Sequence, residues 1–327
     1  MLQEGGLKAF AGGNLGEPLS RLALNPEGYD VAVVELSSYQ LESIVDAQFD
    51  VACWLNLMPD HLERYESVDA YAAAKRRLLE RRRIGGVAVL NAKDSVCADA
   101  GIRLGGATRW FSRLPKSDLA GPRGACGQED GSIIRTVKDE TEVYRPTSAA
   151  LIGLHGLENA AAAIECARHL DVSPEAVQRG LQSFQGLAHR LECVSEAGGV
   201  TWYNDSKATN PAAVRTALDA MSGPVVLILG GKDKGAPWDD VLAAEVELRK
   251  VLLVGAAADL LAPMFLDAER VGTIDAAVVR AAELAEAGDA VLLSPGCASY
   301  DQFNNFEERG DAFKKAVLAL SESEEST

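Results

Sequence analysis

The sequence predicts an α/β protein of two units, each built on a largely parallel sheet. Three observations carry that expectation. Apolar runs such as Asp-Val-Ala-Val-Val-Glu-Leu (30–36) and Phe-Asp-Val-Ala-Cys-Trp-Leu-Asn-Leu (49–57) lack the polar alternation of a one-sided sheet and suit strands covered on both faces. Alanine-rich segments of helical length separate such runs, as βαβ units require. Past Gln185-Gly186-Leu187 the rhythm restarts, which divides the chain into 1–186 and 187–327.

Met1 to Leu7 reads as the tail of a helix running straight into the apolar segment Lys8-Ala9-Phe10-Ala11. That is an unusual way for a domain to begin, so sequence upstream of Met1 is expected. After the strands at 30–36 and 49–57, Ser67 to Arg83 reads as a helix capped by Ser67 and closing in arginines, and Gly86 to Asn91 returns to strand. Residues 103–145 are turn-rich and strand-like, an edge extension of the first sheet. Helices follow at His155 to His169 and at Ser173 to Phe184, the second with Pro174 in its first turn. In the second unit strands are expected at 199–203, 225–229, 250–254 and 290–294. Helices are expected at 211–221, 238–247, 257–265, 275–287 and 305–320.

With 327 residues, 47% of them hydrophobic, the chain can bury two cores. A formal net charge of −16 excludes non-specific nucleic-acid binding, which needs a basic footprint. The six cysteines have no close paired spacing and read as reduced thiols rather than a disulfide set or a zinc site. Neither an apolar run of spanning length nor a secretory leader is present, so a cytoplasmic protein without a membrane span is expected.

Polar clusters interrupt this pattern where strands end. Glu35 closes an otherwise apolar strand and is either a cation ligand or an ordinary strand-end carboxylate. Ser37 and Ser38 can cap the next helix, with Glu42 assisting. His61, in Pro-Asp-His-Leu-Glu-Arg-Tyr (59–65), takes a catalytic or metal role, with Asp60 behind it, or a structural one. Lys75, one turn after Tyr71, is a solvated lysine or one turned into a cleft, where a neutral amine could take up carbon dioxide as a carbamate. Gly12-Gly13-Asn14-Leu15-Gly16 lets backbone and Asn14 approach a ligand closely or makes a tight turn.

In the second half, Asp205, Ser206, Lys207, Thr209 and Asn210 crowd the start of the Pro211 helix, an arrangement suited to anions. Gly230-Gly231-Lys232-Asp233-Lys234-Gly235 and Ser-Pro-Gly-Cys-Ala-Ser-Tyr-Asp-Gln-Phe (294–303) also follow strands. All three clusters should converge at the carboxyl edge of the second sheet, with a carboxylate-bearing substrate between the glycine turn and Ser299. Arg190 is placed to reach phosphate or ribose, or else makes an interdomain polar contact with His189. Phe303 and Phe306 either wall a pocket or pack the terminal helix.

Glu-Leu-Ser-Ser-Tyr-Gln-Leu-Glu (35–42) together with the 294–303 segment resembles the Mur ligase family, and within it the D-glutamate-adding branch. The resemblance implies a central ATPase-type domain, here incomplete, followed by a Rossmann-like C-terminal domain. It implies an ATP-dependent amide ligase of peptidoglycan-precursor synthesis that adds D-glutamate to UDP-N-acetylmuramoyl-L-alanine through an acyl phosphate, and that is monomeric when complete. Carried over residue by residue, Glu35, His61 and a carbamylated Lys75 would be Mg2+ ligands, and Asn14 would touch the muramoyl substrate. Asn159, Arg190 and Asp205 would bind ATP. Lys207, a catalytic lysine by this resemblance, would surround D-glutamate with Thr209, Lys234, Ser299 and Phe306.

Two departures stand out. The family's His-Asn pair is His155-Gly156 here. The family's phosphate loop is also absent, since no Gly-x-x-x-x-Gly-Lys-Ser/Thr occurs in the 327 residues. The chain is therefore expected to be the portion that follows that loop and the uridine-nucleotide domain. By itself it is expected to be inactive, to need a separate N-terminal part, or to serve as a binding or regulatory remnant.

Overall fold

In the computed structural model, which describes residues 1–14, 16–58, 64–113, 124–138, 140–148, 151 and 153–324, the chain separates into units Met1–Phe184 and Gln185–Thr327. The first unit opens with β1 (Ala9–Gly13), α1 (Leu19–Leu24) and β2 (Val31–Glu35). These two strands pair in parallel as a sheet of their own. There follow α2 (Ser38–Ser43), β3 (Phe49–Trp54), α3 (Val68–Glu80), β4 (Arg82–Asn91), α4 (Ser95–Leu104) and β5 (Thr108–Ser112). Then come β6 (Gly124–Gly127), β7 (Ile133–Val137), β8 (Glu140–Tyr144), α5 (Gly153–His169) and α6 (Pro174–Gln182). The large sheet runs β3-β4-β5-β6-β7-β8, parallel as far as β6 and antiparallel beyond it.

Helix α5 covers one face of that sheet. Its Ala160, Ala161 and Ile164 are buried against Val89, Phe111 and Ala125, and the alanines let helix and sheet backbones approach closely. The other face packs Ala88, Leu90 and Trp110 with Leu79 of α3 and Cys97 and Ala100 of α4. Alternate residues of β4 thus serve opposite cores, as strand geometry demands.

Several expectations are corrected here. β2 does not enter the large sheet, and Val33 is 51% exposed. A run of valines reports apolar character and not which neighbours reach it. Met1 to Leu7 holds a single 3-10 turn, Gln3–Gly5. α3 stops at Glu80 because Arg82 already belongs to β4. Helix α4 was not foreseen; Asp94 caps it, its carboxylate accepting from the Cys97 amide at 2.9 Å.

The second unit contains β9 (Glu192–Ala197), β10 (Val200–Asn204), α7 (Pro211–Leu218), β11 (Val225–Gly230), α8 (Asp239–Leu242) and β12 (Leu248–Val254). It continues with α9 (Ala258–Leu261), β13 (Glu269–Gly272), α10 (Ile274–Leu284), β14 (Ala290–Leu293) and α11 (Phe306–Glu324). The strand order is β13-β12-β11-β14-β10-β9, parallel except for β9 against β10. Every residue of β11 is buried. Val225, Leu227 and Leu229 face α7 and Trp238, whereas Val226 and Ile228 face α10 and Phe313 of α11. The helices expected at 238–247 and 257–265 shrink to the short α8 and α9, and β9 and β13 are additional strands.

Candidate functional site

In the second unit β14 returns between β10 and β11, so the loops after these three strands leave the same edge side by side. Main-chain hydrogen bonds then fasten them together. The Asp205 amide donates to the Leu293 carbonyl at 2.7 Å, the Gly296 amide to Ala208 at 2.9 Å and the Gly230 amide to Pro295 at 2.9 Å. Lys232 and Ala298 exchange a pair of amide–carbonyl bonds at 2.7 and 3.0 Å. Gly231 makes this approach possible. Its φ of 130° lies in the region open to glycine, and a Cβ there would stand 2.4 Å from the Ala298 carbonyl oxygen.

Asp205 sits at the centre of this frame and is buried. Its carboxylate accepts from Ser294 Oγ at 2.9 Å and from the Leu191 amide at 3.2 Å. Burial pushes its pKa up to about 6, against the downward pull of those two bonds and of the Arg190 charge. Arg190 itself is exposed. The Lys207 amide donates to the His189 carbonyl at 3.0 Å, and Lys207 Nζ lies 5.1 Å from the Phe306 ring centroid, within cation–π range. Thr209 is half-buried, and Asn210 caps α7 through its Oδ1, which accepts from the Ala213 amide at 2.8 Å. Ser299 is buried, its carbonyl accepting from the Gln302 and Phe303 amides, and Lys234 is exposed on the glycine turn. Phe303 packs against the α10–α11 core.

Two further side chains tie this frame together, of which Arg309 is absent from the sequence reading. Arg309 is 2% exposed, yet it donates to Ser206 Oγ at 3.0 Å, to the Ser206 carbonyl at 2.8 Å and to the Cys297 carbonyl at 3.1 Å. Burial lowers its pKa to about 10. Asn204 Nδ2 donates to Glu192 at 3.0 Å and lies 3.1 Å from His189 Nδ1, so that nitrogen acts as acceptor. The spacing of Arg309 from Phe306, one helical turn, is the only signal that could have pointed to it.

The first unit brings Asn14 and Glu35 together. They follow and end the paired strands β1 and β2, where the Asn14 amide donates to the Glu35 carbonyl at 2.8 Å and Asn14 Nδ2 to Glu35 Oε1 at 3.2 Å. Ser37 caps α2 with Gln40, not Glu42, as the reciprocal partner: Gln40 Oε1 accepts from the Ser37 amide at 2.8 Å. Gln40 stands three residues after the cap, the position that closes such a box. Helix α2 is bound to α3 by Arg77, whose guanidinium donates to the Leu41 and Ile44 carbonyls at 2.9 and 3.2 Å. On α3, the Lys75 amine lies 5.2 Å from the Tyr71 ring centroid. His61 and Asp60 lie outside the described residues.

Asn159 is exposed on α5, beside Glu158, which accepts from buried Asn91 at 3.0 Å at the end of β4. At Gly156 a Cβ would stand 2.4 Å from the Leu151 carbonyl oxygen, so an asparagine could not replace it without a backbone shift. The exposed Glu35 carboxylate is the hard oxygen donor that magnesium takes. Among the described residues no three His, Cys, Asp or Glu side chains gather closely enough to hold a metal.

The sequence matches the Mur ligase middle domain over residues 13–167 and the Mur ligase glutamate ligase domain over 189–297. It is 44% identical over 326 residues to a UDP-N-acetylmuramoylalanine–D-glutamate ligase from Myxococcus xanthus, covering 98% of this chain and 71% of that protein. A ligase of the same name from Koribacter versatilis is 38% identical over 329 residues, covering 99% and 71%. The fold is shared with MurF from Acinetobacter baumannii (TM-score 0.65, 21% identity, 96% of this chain and 78% of that one). It is shared also with a pseudomurein peptide ligase type C from Methanothermus fervidus (TM-score 0.68, 14% identity, 98% and 74%). With its loops gathered at one sheet edge and likeness along nearly its whole length, the chain belongs to the Mur ligases, a family of ATP-dependent amino-acid ligases.

Proposed function

We propose that this chain carries the central and C-terminal portions of a ligase that joins D-glutamate to UDP-N-acetylmuramoyl-L-alanine. The observation that carries the reading is the convergence of 204–210, 230–235 and 294–303 into one main-chain-bonded frame. Lys207, Thr209, Lys234, Ser299 and Phe306 all lie on this frame or on the helix that follows it. An amino acid with two carboxylates matches a rim bearing Lys207 and Lys234 and a wall containing Phe306. The 38–44% identity to D-glutamate ligases favours D-glutamate over other amino acids. Asn159, Arg190 and Asp205 take the nucleotide, and Asn14 takes the muramoyl substrate.

Glu35, with His61 and a carbamylated Lys75, would hold Mg2+. A magnesium ion held by those residues would supply positive charge that neutralises phosphate. What the chain's own residues do is more concrete. Asn14 orients the Glu35 carboxylate, and Lys207 supplies positive charge where the amine of D-glutamate attacks. Titration calorimetry of the 327-residue chain with D-glutamate should give heat that is lost in Lys234→Ala. No heat over a wide concentration range would sink the amino-acid site.

A second reading is a binding or regulatory chain without its own ATP turnover. It is favoured by the lack of any Gly-x-x-x-x-Gly-Lys-Ser/Thr in the sequence. Phosphate release by this chain alone, strictly dependent on both the muramoyl substrate and D-glutamate, would refute it.

A further inference from the structure

In the second unit Arg190 stands between two residues of unusual backbone. His189 has φ 62° and Leu191 φ 42°, a region that residues other than glycine seldom enter. Such a conformation costs free energy and persists only where its surroundings over-determine it. The holding groups here are carboxylates. Glu192 Oε2 accepts from the His189 amide at 2.9 Å, and Asp205 Oδ1 accepts from the Leu191 amide at 3.2 Å. The Arg190 amide closes a turn on the Leu187 carbonyl at 3.2 Å, and the His189 carbonyl accepts from the Lys207 amide. The side chains divide accordingly. His189 is buried, with Nδ1 only 2.1 Å from where a Cβ on Gly310 would stand, and Leu191 packs on the core of the unit. Arg190 between them is exposed.

Glu192 does more than accept one amide. The same Oε2 accepts from Asn204 Nδ2 at 3.0 Å, at the end of β10, and Oε1 accepts from Lys314 Nζ of α11 at 2.7 Å. Burial works against its charge, yet the His189 amide and the Lys314 amine hold the carboxyl below its ordinary pKa. The inner oxygen thus ties the turn to the sheet edge. The outer pair is partly exposed, with Lys314 at 32% and Glu192 at 21%, and an exposed ion pair contributes little. An ionised acceptor on an amide contributes more, so the His189 bond carries the constraint.

We propose that Glu192 is the positioning residue for Arg190: its inner oxygen, bound to the His189 amide and to Asn204, holds the 189–191 turn so that the guanidinium is presented to a phosphate. The inference rests on the reading of Arg190 as a nucleotide residue. A guanidinium offers phosphate a planar fork of donors, and that geometry is of use only where the backbone beneath it is fixed.

The test is amide hydrogen exchange of the full chain by NMR, comparing His189 with Leu227 and Ile228 in buried β11. Losing a hydrogen bond to a charged group should speed exchange at His189 at least about tenfold in Glu192→Ala, with β11 at its native rates. Glu192→Gln, which keeps an inner acceptor, should stay near native, and so should Lys314→Met. Native exchange at His189 in Glu192→Ala, an equal rise in β11, or the same rise in Lys314→Met overturns the proposal. Should Glu192→Ala fail to fold, Glu192→Asp, whose carboxylate is drawn back by one methylene, decides by the same comparison. Titration with ADP, followed by the 189–191 amide shifts, reads the consequence for binding. A turn populated about a third of the time would weaken apparent ADP affinity about threefold in Glu192→Ala. Native affinity in that variant, where Arg190→Ala has lost binding, overturns the proposal. Absence of ADP binding by the native chain, or native affinity in Arg190→Ala, sinks the nucleotide reading of Arg190, while the exchange comparison still decides the positioning role.

Discussion

Asp205→Asn isolates one electrostatic cost of burial in the second unit's frame. Burial raises the Asp205 carboxyl from 3.8 to about 6, and at ~1.4 kcal/mol per pKa unit the ionised form costs the folded state about 3 kcal/mol. The sign follows from proton binding. The folded carboxyl holds its proton more tightly than the unfolded one, so this contribution is most favourable below the unfolded pKa. It is lost as pH rises from about 4 through about 6. Asparagine keeps an acceptor for the Leu191 amide and offers an amide to Ser294, and it does not titrate. The stability of Asp205→Asn relative to the native chain should therefore rise between pH 4 and pH 7, by about 3 kcal/mol, and level off above. Urea denaturation read by hydrogen exchange of the β10 and β14 amides follows this unit specifically. All other titrating groups are common to both proteins and cancel in the difference. Identical pH slopes from 4 to 7 would show that the carboxyl is not desolvated as described.

Two further substitutions probe the same frame. Gly231→Ala must strain a φ of 130° and push a methyl group toward the Ala298 carbonyl, so a loss of about 3 kcal/mol is expected in the second unit. Native-like denaturation of that variant would contradict the close approach of the two loops. Asn210→Ala removes the cap on α7 and should cost about 1 kcal/mol, with earlier exchange of the Ala212 and Ala213 amides as its local signature.

The second sheet was legible at its centre, where β11 and β14 are buried on both faces. Val-Val-Leu-Ile-Leu (225–229) has no polar interruption, and β10, β11 and β14 each lead straight into a polar cluster. Asn210-Pro211 likewise announces a helix start in the residues themselves. β9 was not legible, since Glu192 and Glu196 give an edge strand the polarity of a loop. β2 misled in the opposite sense, because three valines cannot say whether a sheet will cover them. The site loops could be read from composition, but Arg309 could not. On an amphipathic helix flanked by Glu307, Glu308 and Asp311, an arginine has the look of a solvated face. Only the fold reveals that it points inward to Ser206 and Cys297. Similarly, both Gln40 and Glu42 could have capped α2, and the position of Ser37 decided for Gln40.

The frame beneath the candidate amino-acid site is held by main-chain groups: Asp205 to Leu293, Gly296 to Ala208, Gly230 to Pro295, and Lys232 with Ala298. Such bonds are indifferent to most side chains, glycine positions excepted. The loops are therefore ordered before any ligand arrives, and binding need not spend affinity on arranging them. It also means that the walls can be redecorated. On the proposed reading of the site, changes at 207, 209, 234 or 299 would alter which amino acid is accepted while the scaffold beneath stays put, so substrate choice would be separable from folding.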